Sequence, residues 1–176
     1  MKTLYLVRHC SATGQAAEAE LSDTGIEQAQ KLAAFFSGIS IENIISSPFK
    51  RAQHSIEPTA KAKKLPLTID ARLAERTLST SDLPNWLELL EKTFLDLDLK
   101  LVGGESSREA TARAIEVIEE AINNTVLVTH GNLMSLILKH FDDSIGFEEW
   151  KLLRNPDVYT LIIDNNKSSI KQLWKD

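Results

Sequence analysis

Two short stretches of the chain place polar, chemically active side chains directly after an apolar run. LYLVRHC ends in Arg8, His9 and Cys10, and VLVTHGN contains His130. A short apolar run predicts a strand that is buried on both faces, and the carboxyl ends of parallel strands line the ligand crevice of an open α/β sheet. If the two strands are neighbours, we expect His9 and His130 to meet at one edge of the sheet.

The same edge has the composition of an anion site. The helix predicted after His130 adds a partial positive charge at its N-terminus. Arg8 belongs to the first turn, and Arg51 lies in SSPFKR near the start of another predicted helix. A guanidinium group binds phosphate oxygens through paired N–H donors. A lone histidine at a strand end or a lone arginine at a helix start is usually structural, so this prediction depends on all four side chains converging.

Short apolar runs alternate with amphipathic stretches along the chain. LSDTGIEQAQKLAAFFSG predicts a helix with Ser22 or Asp23 as its N-cap and Gly38 as its stop. The predicted buried face of this helix consists of Ile26, Ala29, Leu32, Ala33 and Phe36. SPFKRAQHSI predicts a second helix, with Ser47 as a possible N-cap and Pro48 in the first helical position.

Pro58 is expected to break or kink the second helix. Three further helices are predicted, and the first of them runs from about Ser81 to Phe94. SSREATARAIEVIEEAINN carries a capping box, Ser106 with Glu109, that predicts the start of a fourth. Its predicted apolar face consists of Ala110, Ala114, Val117, Ile118 and Ala121. GNLMSLILKHF predicts a last, largely apolar helix.

The remaining apolar runs predict the other strands. IENIISS, LPLTID and TVLVTH each precede or follow a predicted helix, and VYTLIID and SIKQLWK form a closing pair around the turn DNNKSS. Strands joined through helices predict an α/β fold, a three-layer sandwich with a mostly parallel central sheet and helices on both faces. Without an internal repeat, low-complexity tract or linker, we predict a single domain over residues 1–176.

Composition and charge narrow the expected partners and location. A net charge of −5 and the lack of a basic stripe argue against a nucleic-acid partner. No stretch approaches the roughly 20 apolar residues of a membrane span, so no membrane partner is expected. One cysteine excludes an internal disulfide and, with no signal peptide, predicts a cytoplasmic protein. Neither His54 nor His140 forms a metal-ligand spacing with the strand-end histidines, and the oligomeric state is left open.

Five motifs occur in the order and spacing of a known family. LVRHCSATGQ, LSDTGIEQA, SSPFKRAQ, GGES and VTHGN make the chain resemble the histidine phosphatase superfamily, which has the phosphoglycerate mutase-like fold. The resemblance runs from about residue 3 to residue 135 and is weakest over residues 76–100. It implies that His9 is the nucleophile that becomes phosphorylated, and that Arg8, Arg51 and His130 form the phosphate pocket, without a metal or other cofactor.

The resemblance also implies an acid from the middle of the chain that protonates the leaving oxygen. We predict Glu75, in ARLAERTLS, as this acid, with Asp82 as the alternative. To donate a proton at pH 7, a carboxyl group needs a pKa raised by burial or by the negative charge of the incoming phosphate. The competing structural interpretation is a solvated Glu75 with Arg76 as its companion.

Three residues depart from the family's pattern. Cys10 stands where glycine is usual, Ser11 where many members have glutamate, and Gln15 where asparagine is frequent. A cysteine phosphatase would need arginine six residues after the cysteine, where this chain has Ala16, so Cys10 is predicted to be a packing residue in a turn without positive φ. Gln15 is predicted to bind phosphate through its amide, with an ordinary turn residue as the alternative.

The predicted activity is that of a metal-independent histidine acid-type phosphatase. His9 would form a phosphohistidine intermediate during phosphomonoester hydrolysis, and Glu75 would act first as acid and then as base. Phosphoglycerate mutase-type transfer is the alternative within the family, although the mutases have extra segments that shut out water. A non-catalytic phospho-ligand binding protein is the alternative from another class. The expected partner is a small phosphorylated substrate, with sugar phosphates, nucleotides and phosphoproteins all open.

Overall fold

In the computed structural model, residues 1–175 are described, and six strands form one sheet with helices packed against it. The strands are β1 (Lys2–Arg8), β2 (Asn43–Ser46), β3 (Leu67–Ile69), β4 (Thr125–Thr129), β5 (Asp157–Asp164) and β6 (Lys167–Gln172). The helices are α1 (Asp23–Phe36), α2 (Lys50–Lys63), α3 (Trp86–Leu95), α4 (Ser107–Glu120), α5 (Gly131–Phe141) and α6 (Phe147–Leu152). Asp176, the end of the predicted domain, lies outside the described residues.

The sheet is parallel on one side and antiparallel at one edge. Its order is β3-β2-β4-β1-β5-β6. The first four strands are parallel to one another, β5 is antiparallel to β1, and β6 is antiparallel to β5. β1 and β4 are therefore direct neighbours, with Arg8 in register with Thr129. This topology confirms the predicted mostly parallel sheet, and it places the ends of the two histidine-bearing strands side by side.

Apolar side chains of the central strands point alternately to two separate cores. Along β4, Leu127 belongs to the core covered by α4 and α5, whereas Val126 and Val128 belong to the core covered by α1 and α2. All five residues of β4 are buried, as expected for a strand covered on both faces. The prediction of helices on both faces of an α/β sheet is confirmed. Within residues 1–175, no helix has the length and apolar character needed to cross a membrane.

The first helix follows its predicted pattern except at one position. Ser22 is the N-cap, and its Oγ accepts a hydrogen bond of 3.1 Å from the Gly25 N–H. Leu32 and Phe36 are fully buried, as predicted, but Ile26 is 54% exposed. The prediction for Ile26 is wrong because this first turn lies at the rim of α1, where α2 does not cover it completely. Ile26 borders the groove between these two helices.

The second helix differs more from its prediction. α2 begins at Lys50 with Phe49 as its cap, so Ser47 and Pro48 precede the helix. The predicted N-cap is wrong because the helix starts at Lys50; the Ser47 hydroxyl accepts the Phe49 N–H and also contacts His130 Nε2. The predicted break at Pro58 is also wrong, since α2 continues to Lys63. Buried residues before and after Pro58 anchor the helix, and this packing outweighs the one backbone hydrogen bond that proline removes.

The middle of the chain forms less helix than predicted. α3 begins at Trp86 rather than near Ser81, because Ser79 and Thr80 donate hydrogen bonds to the Val102 carbonyl and Ser81 donates to the Ser79 hydroxyl. In α4 the Ser106 hydroxyl caps the Glu109 N–H as predicted, but the Glu109 carboxylate binds Lys100, 3.0 Å away, instead of completing a capping box. All five residues of the predicted apolar face of α4 are buried. α6 has no buried residue and was not predicted.

Two substitutions in α1 test how the helix packs. Leu32→Ala should lower the free energy of unfolding by about 2–5 kcal/mol, because it removes a fully buried side chain and leaves a cavity. Ile26→Ala on the same helix should change it by about 0.5 kcal/mol or less. Urea unfolding followed by circular dichroism measures both values. A loss at Ile26 equal to that at Leu32 would contradict the observed orientation of α1.

Candidate active site

The pairing of β1 with β4 brings the two predicted histidines together. His9 directly follows β1, and its N–H donates to the Thr129 carbonyl at 3.1 Å, which extends the parallel ladder by one bond. His130 directly follows β4 and precedes α5. The centroids of the two imidazole rings lie 5.1 Å apart. Residues separated by more than a hundred positions in the chain therefore share one site, as the sequence predicts.

The His9 ring is held as a neutral imidazole with its lone pair on Nε2. Its Nδ1 lies 2.7 Å from the Cys10 carbonyl oxygen, which can only accept, so Nδ1 carries the proton. Burial is the main cause that lowers the pKa of His9 to about 4; the Cys10 carbonyl opposes this shift, and the positive charges of Arg51 and Arg8 contribute to it. At neutral pH, Nε2 is thus unprotonated and able to act as a nucleophile.

Arg51 is a buried cation in contact with that nitrogen. Its Nε donates to His9 Nε2 at 3.3 Å, and its Nη1 donates to the carbonyl oxygens of Gln15 at 3.1 Å and Ala16 at 2.8 Å. The guanidinium also lies 5.0 Å from the centre of the Phe49 ring. Gln15 thus contacts the site through its backbone, while its side chain is exposed. Phosphate binding by the Gln15 amide stays a prediction.

Arg8 is fixed against the start of α5. Its Nη1 donates to the Leu153 carbonyl at 2.8 Å, whereas its buried Nε has no hydrogen-bond partner within residues 1–175. A Cβ on Gly131, the first residue of α5, would stand 2.9 Å from the Arg8 Cζ. Glycine at position 131 thus lets the Arg8 guanidinium approach α5 this closely, and a larger residue would displace it. The guanidinium retains a donor for a further ligand.

His130 is fully buried and has one ring nitrogen without a protein partner. Its Nε2 lies 2.7 Å from the Ser47 Oγ, and its Nδ1 has no hydrogen-bond partner among the described residues. Burial lowers the pKa of His130 to about 2, and the charges of His9, Arg51 and Arg8 act in the same direction. The ring is neutral throughout the physiological pH range.

Glu75 lies over the N-terminus of α5. Its carboxylate accepts hydrogen bonds from the N–H groups of Leu133 at 2.9 Å, Asn132 at 3.1 Å and Arg76 at 2.8 Å. Burial raises the pKa of Glu75, whereas these three N–H groups and the Arg8 charge act to lower it. A raised pKa is what the predicted acid requires, and it contradicts the interpretation of Glu75 as a solvated loop residue.

The Arg76 side chain turns away from Glu75 and braces the segment that carries it. Its guanidinium donates to the Glu105 carbonyl at 2.9 and 3.1 Å, and the Glu105 carboxylate pairs with Arg113 at 2.8 Å. Glu105 is the acidic residue of the GGES motif, so this motif supports the acid-bearing segment. Asp82, the alternative acid, lies exposed in the loop before α3.

Two residues that position the site were not predicted from the sequence. The Ser55 hydroxyl accepts the Cys10 N–H at 2.8 Å and donates to the Arg51 carbonyl at 2.6 Å, which ties the catalytic turn to α2. The Asn155 amide donates to the His9 carbonyl at 2.9 Å. Ser55 stands four residues after Arg51, on the same helical face, and this spacing could have identified it. Asn155 lies in an Asn-Pro pair, which indicates only a turn.

Cys10 is a packing residue, as predicted. It is fully buried among the apolar side chains beneath α1 and α2, and its φ is not positive. Burial raises the pKa of its thiol to about 11, so the thiol is not an activated nucleophile at neutral pH. His54 lines the groove between α1 and α2, and His140 ends α5. Among residues 1–175, no group of three or more His, Cys, Asp and Glu side chains is arranged to hold a metal ion.

The sequence matches one protein family over nearly its whole length. Residues 4–176 match the histidine phosphatase superfamily (branch 1). The chain belongs to this superfamily. The match covers nearly the whole chain, including residues 76–100, where the resemblance of motifs is weakest. No curated protein matches the sequence.

Several solved phosphatase structures share the fold of this histidine phosphatase. The α-ribazole phosphatase of Shigella flexneri is 21% identical with a TM-score of 0.76, and the alignment covers 97% of this chain and 95% of that one. A mycobacterial glucosyl-3-phosphoglycerate phosphatase is 19% identical with a TM-score of 0.71, covering 97% and 96%. The phosphoserine phosphatase of Entamoeba histolytica, solved with 3-phosphoglyceric acid, is 19% identical with a TM-score of 0.76, covering 99% and 98%. At these identities the similarity establishes the fold.

Proposed function

We propose that the protein hydrolyses small phosphomonoesters through a phosphohistidine formed on Nε2 of His9. The observation that carries this proposal is a pair of buried nitrogen atoms, Arg8 Nε and His130 Nδ1, without partners within residues 1–175 and next to an unprotonated imidazole nitrogen. A buried polar group without a hydrogen bond costs about 1–3 kcal/mol. A phosphoryl group supplies the oxygen acceptors that such donors lack, and its phosphorus is the electrophile that Nε2 can attack.

In the first step, His9 Nε2 forms a bond to phosphorus while the ester P–O bond breaks. Arg8, Arg51 and His130 donate hydrogen bonds to the non-bridging oxygens, whose negative charge must be stabilised in the transition state. Once Nε2 has bonded to phosphorus, the Arg51 Nε–H that donated to it donates to a phosphoryl oxygen. The protonated Glu75 carboxyl transfers its proton to the departing alkoxide, so a neutral alcohol leaves.

In the second step, water attacks the phosphorus of the phosphohistidine. The Glu75 carboxylate left by the first step removes a proton from this water, the P–N bond breaks and inorganic phosphate is released. His9 recovers its Nε2 lone pair, while the Cys10 carbonyl keeps the proton on Nδ1 throughout. Two guanidinium groups supply the positive charge that this sequence of steps needs, and the neutral His130 imidazole adds a hydrogen-bond donor, so we propose a metal-independent reaction.

The substrate is proposed only as a class. The structures with the same fold carry the names of phosphatases for α-ribazole phosphate, glucosyl-3-phosphoglycerate and phosphoserine, three compounds that share little besides a phosphomonoester. Phosphoglycerate mutase-type transfer and a non-catalytic binding role are the competing hypotheses. A binding protein has no need of an unprotonated nucleophile or of a buried carboxyl with a raised pKa, and both are found here.

Trapping the intermediate tests the proposal directly. The wild-type protein should release phosphate from p-nitrophenyl phosphate equally well with and without EDTA, and substrate labelled with ³²P should leave an acid-labile, alkali-stable label on His9. His9→Ala should lose at least about a thousandfold in rate, whereas His54→Ala, which changes a histidine in the groove between α1 and α2, should keep wild-type activity. Phosphate binding without turnover would favour a binding protein, inactivation by EDTA would favour a metal enzyme, and label on Cys10 would contradict the assignment of the nucleophile.

The dependence on the leaving group tests Glu75 as the acid. Glu75→Gln should lose about 10²–10⁴-fold in rate on an alkyl phosphate, because the poor leaving group then departs without a proton. On p-nitrophenyl phosphate the same variant should give one equivalent of p-nitrophenolate in a rapid burst and then turn over slowly, because the first step needs no acid but the second has lost its base. Asp82→Asn should resemble wild type in both stopped-flow assays. The reverse pattern would make Asp82 the acid.

The pH dependence follows from the two shifted groups. His9 must be unprotonated to attack, so kcat/KM should rise as the pH rises through about 4, the lowered pKa of His9. Glu75 must be protonated to donate, so kcat/KM should fall as the pH rises through its pKa, which burial raises above the ordinary range. Glu75→Gln should lose the alkaline limb and keep the acidic one. Comparing the two proteins with one substrate cancels the ionisation of that substrate, and an unchanged alkaline limb in the variant would contradict this assignment.

A further inference from the structure

A buried hydroxyl outside the predicted catalytic set contacts one of the two histidines. The Ser47 side chain is fully buried, its Oγ accepts the Phe49 N–H at 3.2 Å, and it lies 2.7 Å from His130 Nε2. The Phe49 N–H is a donor and cannot receive the hydroxyl proton. Among residues 1–175, His130 Nε2 is the one hydrogen-bond partner to which this hydroxyl can donate its proton, and donation there satisfies the buried O–H group.

This contact decides which nitrogen of His130 carries the ring proton. A neutral imidazole has one N–H and one lone pair, and the hydrogen bond made by one nitrogen sets the state of the other. When Nε2 accepts a proton from Ser47, Nδ1 must be the N–H. Nδ1 is the nitrogen that is buried without a protein partner. The protein thus holds an N–H donor that only a ligand can satisfy.

The alternative tautomer would harm phosphate binding. Burial and the nearby groups His9, Arg51, Arg8 and Arg113 prevent His130 from taking a second proton, since all of them lower its pKa. The ring therefore cannot be a donor at both nitrogens. With the proton on Nε2, the Nδ1 lone pair would face the phosphate oxygens and repel them. Neutral His130 can only contribute to the pocket in the Nδ1–H form.

The start of α2 is consistent with this role. Ser47 precedes Pro48 in a position typical of a helix N-cap, yet α2 begins only at Lys50. The backbone before the helix instead carries the Ser47 hydroxyl to His130, and the Ser47 N–H donates to the Val128 carbonyl at 2.9 Å, two residues before His130. This backbone hydrogen bond between residues 46–48 and β4 thereby holds the Ser47 hydroxyl next to the His130 ring.

We propose that Ser47 is a positioning residue that keeps His130 in the Nδ1–H tautomer and so makes the ring a hydrogen-bond donor to bound phosphate. The phosphate contact rests on the proposed function, whereas the tautomer itself does not. Ser46 offers a matched control, because it is equally buried and its Oγ donates to the Ser47 carbonyl at 2.9 Å, yet its hydroxyl makes no contact with His130. Comparing variants of the two adjacent serines thus separates the effect of losing a buried hydroxyl from the effect of losing its contact with the ring.

Nitrogen-15 NMR of protein labelled at histidine reads the tautomer without any turnover. Wild type, Ser46→Ala and Ser47→Thr, which keeps the hydroxyl, should all show His130 as Nδ1–H. Ser47→Ala should move the ring toward Nε2–H and weaken the binding of inorganic phosphate about 10- to 100-fold by titration calorimetry. Urea unfolding establishes that each variant is folded.

Each outcome has a defined meaning. An unchanged Nδ1–H signal in folded Ser47→Ala would overturn the proposal, as would an equal loss of phosphate affinity in Ser46→Ala. If Ser47→Ala does not fold, Ser47→Cys keeps the size of the side chain with a weaker donor and should shift the tautomer in the same direction, and the absence of such a shift would overturn the proposal. Since neither measurement needs catalysis, a wild-type protein that binds phosphate but hydrolyses no ester would disprove the proposed function and leave the test of Ser47 intact.

Discussion

The site depends on the parallel pairing of β1 with β4. Their register sets Arg8 opposite Thr129, and the next residue on each strand is a histidine. A slip of one residue would shift one ring by about 3.3 Å along the sheet and turn the side chains of that strand to the opposite face. Strand β4 is buried on both faces, so the apolar cores on either side resist such a slip. The packing of the two apolar cores thus sets the relative positions of His9 and His130, although neither histidine is part of a core.

A second constraint is the coexistence of two neutral imidazoles with two guanidinium groups in one buried region. Desolvation is the largest cause of the lowered pKa of both His9 and His130, so the rings stay neutral because they are buried, and the arginines reinforce that state. When it is ionised, Glu75, whose carboxyl group lies over the N-terminus of α5, partly balances the arginine charges. A phosphate dianion would enter a site with an excess of hydrogen-bond donors that are already fixed in place.

Local sequence patterns were sufficient for most of the fold and for the proximity of His9, His130 and Arg51, whereas the roles of these residues stay predictions. Apolar runs predicted the strands, and the motifs around His9 and His130 predicted that the two histidines lie close together. Failures occurred where tertiary contacts override local preference. Ser47 has the local chemistry of an N-cap, but its hydroxyl contacts His130 instead, and Asn155 reaches the His9 carbonyl across the fold without any sequence signal. The single domain, the cytoplasmic location and the role of the Gln15 amide stay predictions, because no contact within the chain bears on them.

The buried thiol of Cys10 lies next to His9, the proposed nucleophile, and its protonation state affects how the site responds to oxidants. With its pKa raised to about 11 by burial, the Cys10 thiol stays protonated at pH 7, and none of its surface is open to solvent. Peroxides attack the thiolate, which is why phosphatases that rely on a cysteine nucleophile lose activity under oxidation. With His9 as the proposed nucleophile beside an inert sulfur, the site would lack that vulnerability, so the proposed phosphoryl chemistry would be uncoupled from the redox state of the surroundings.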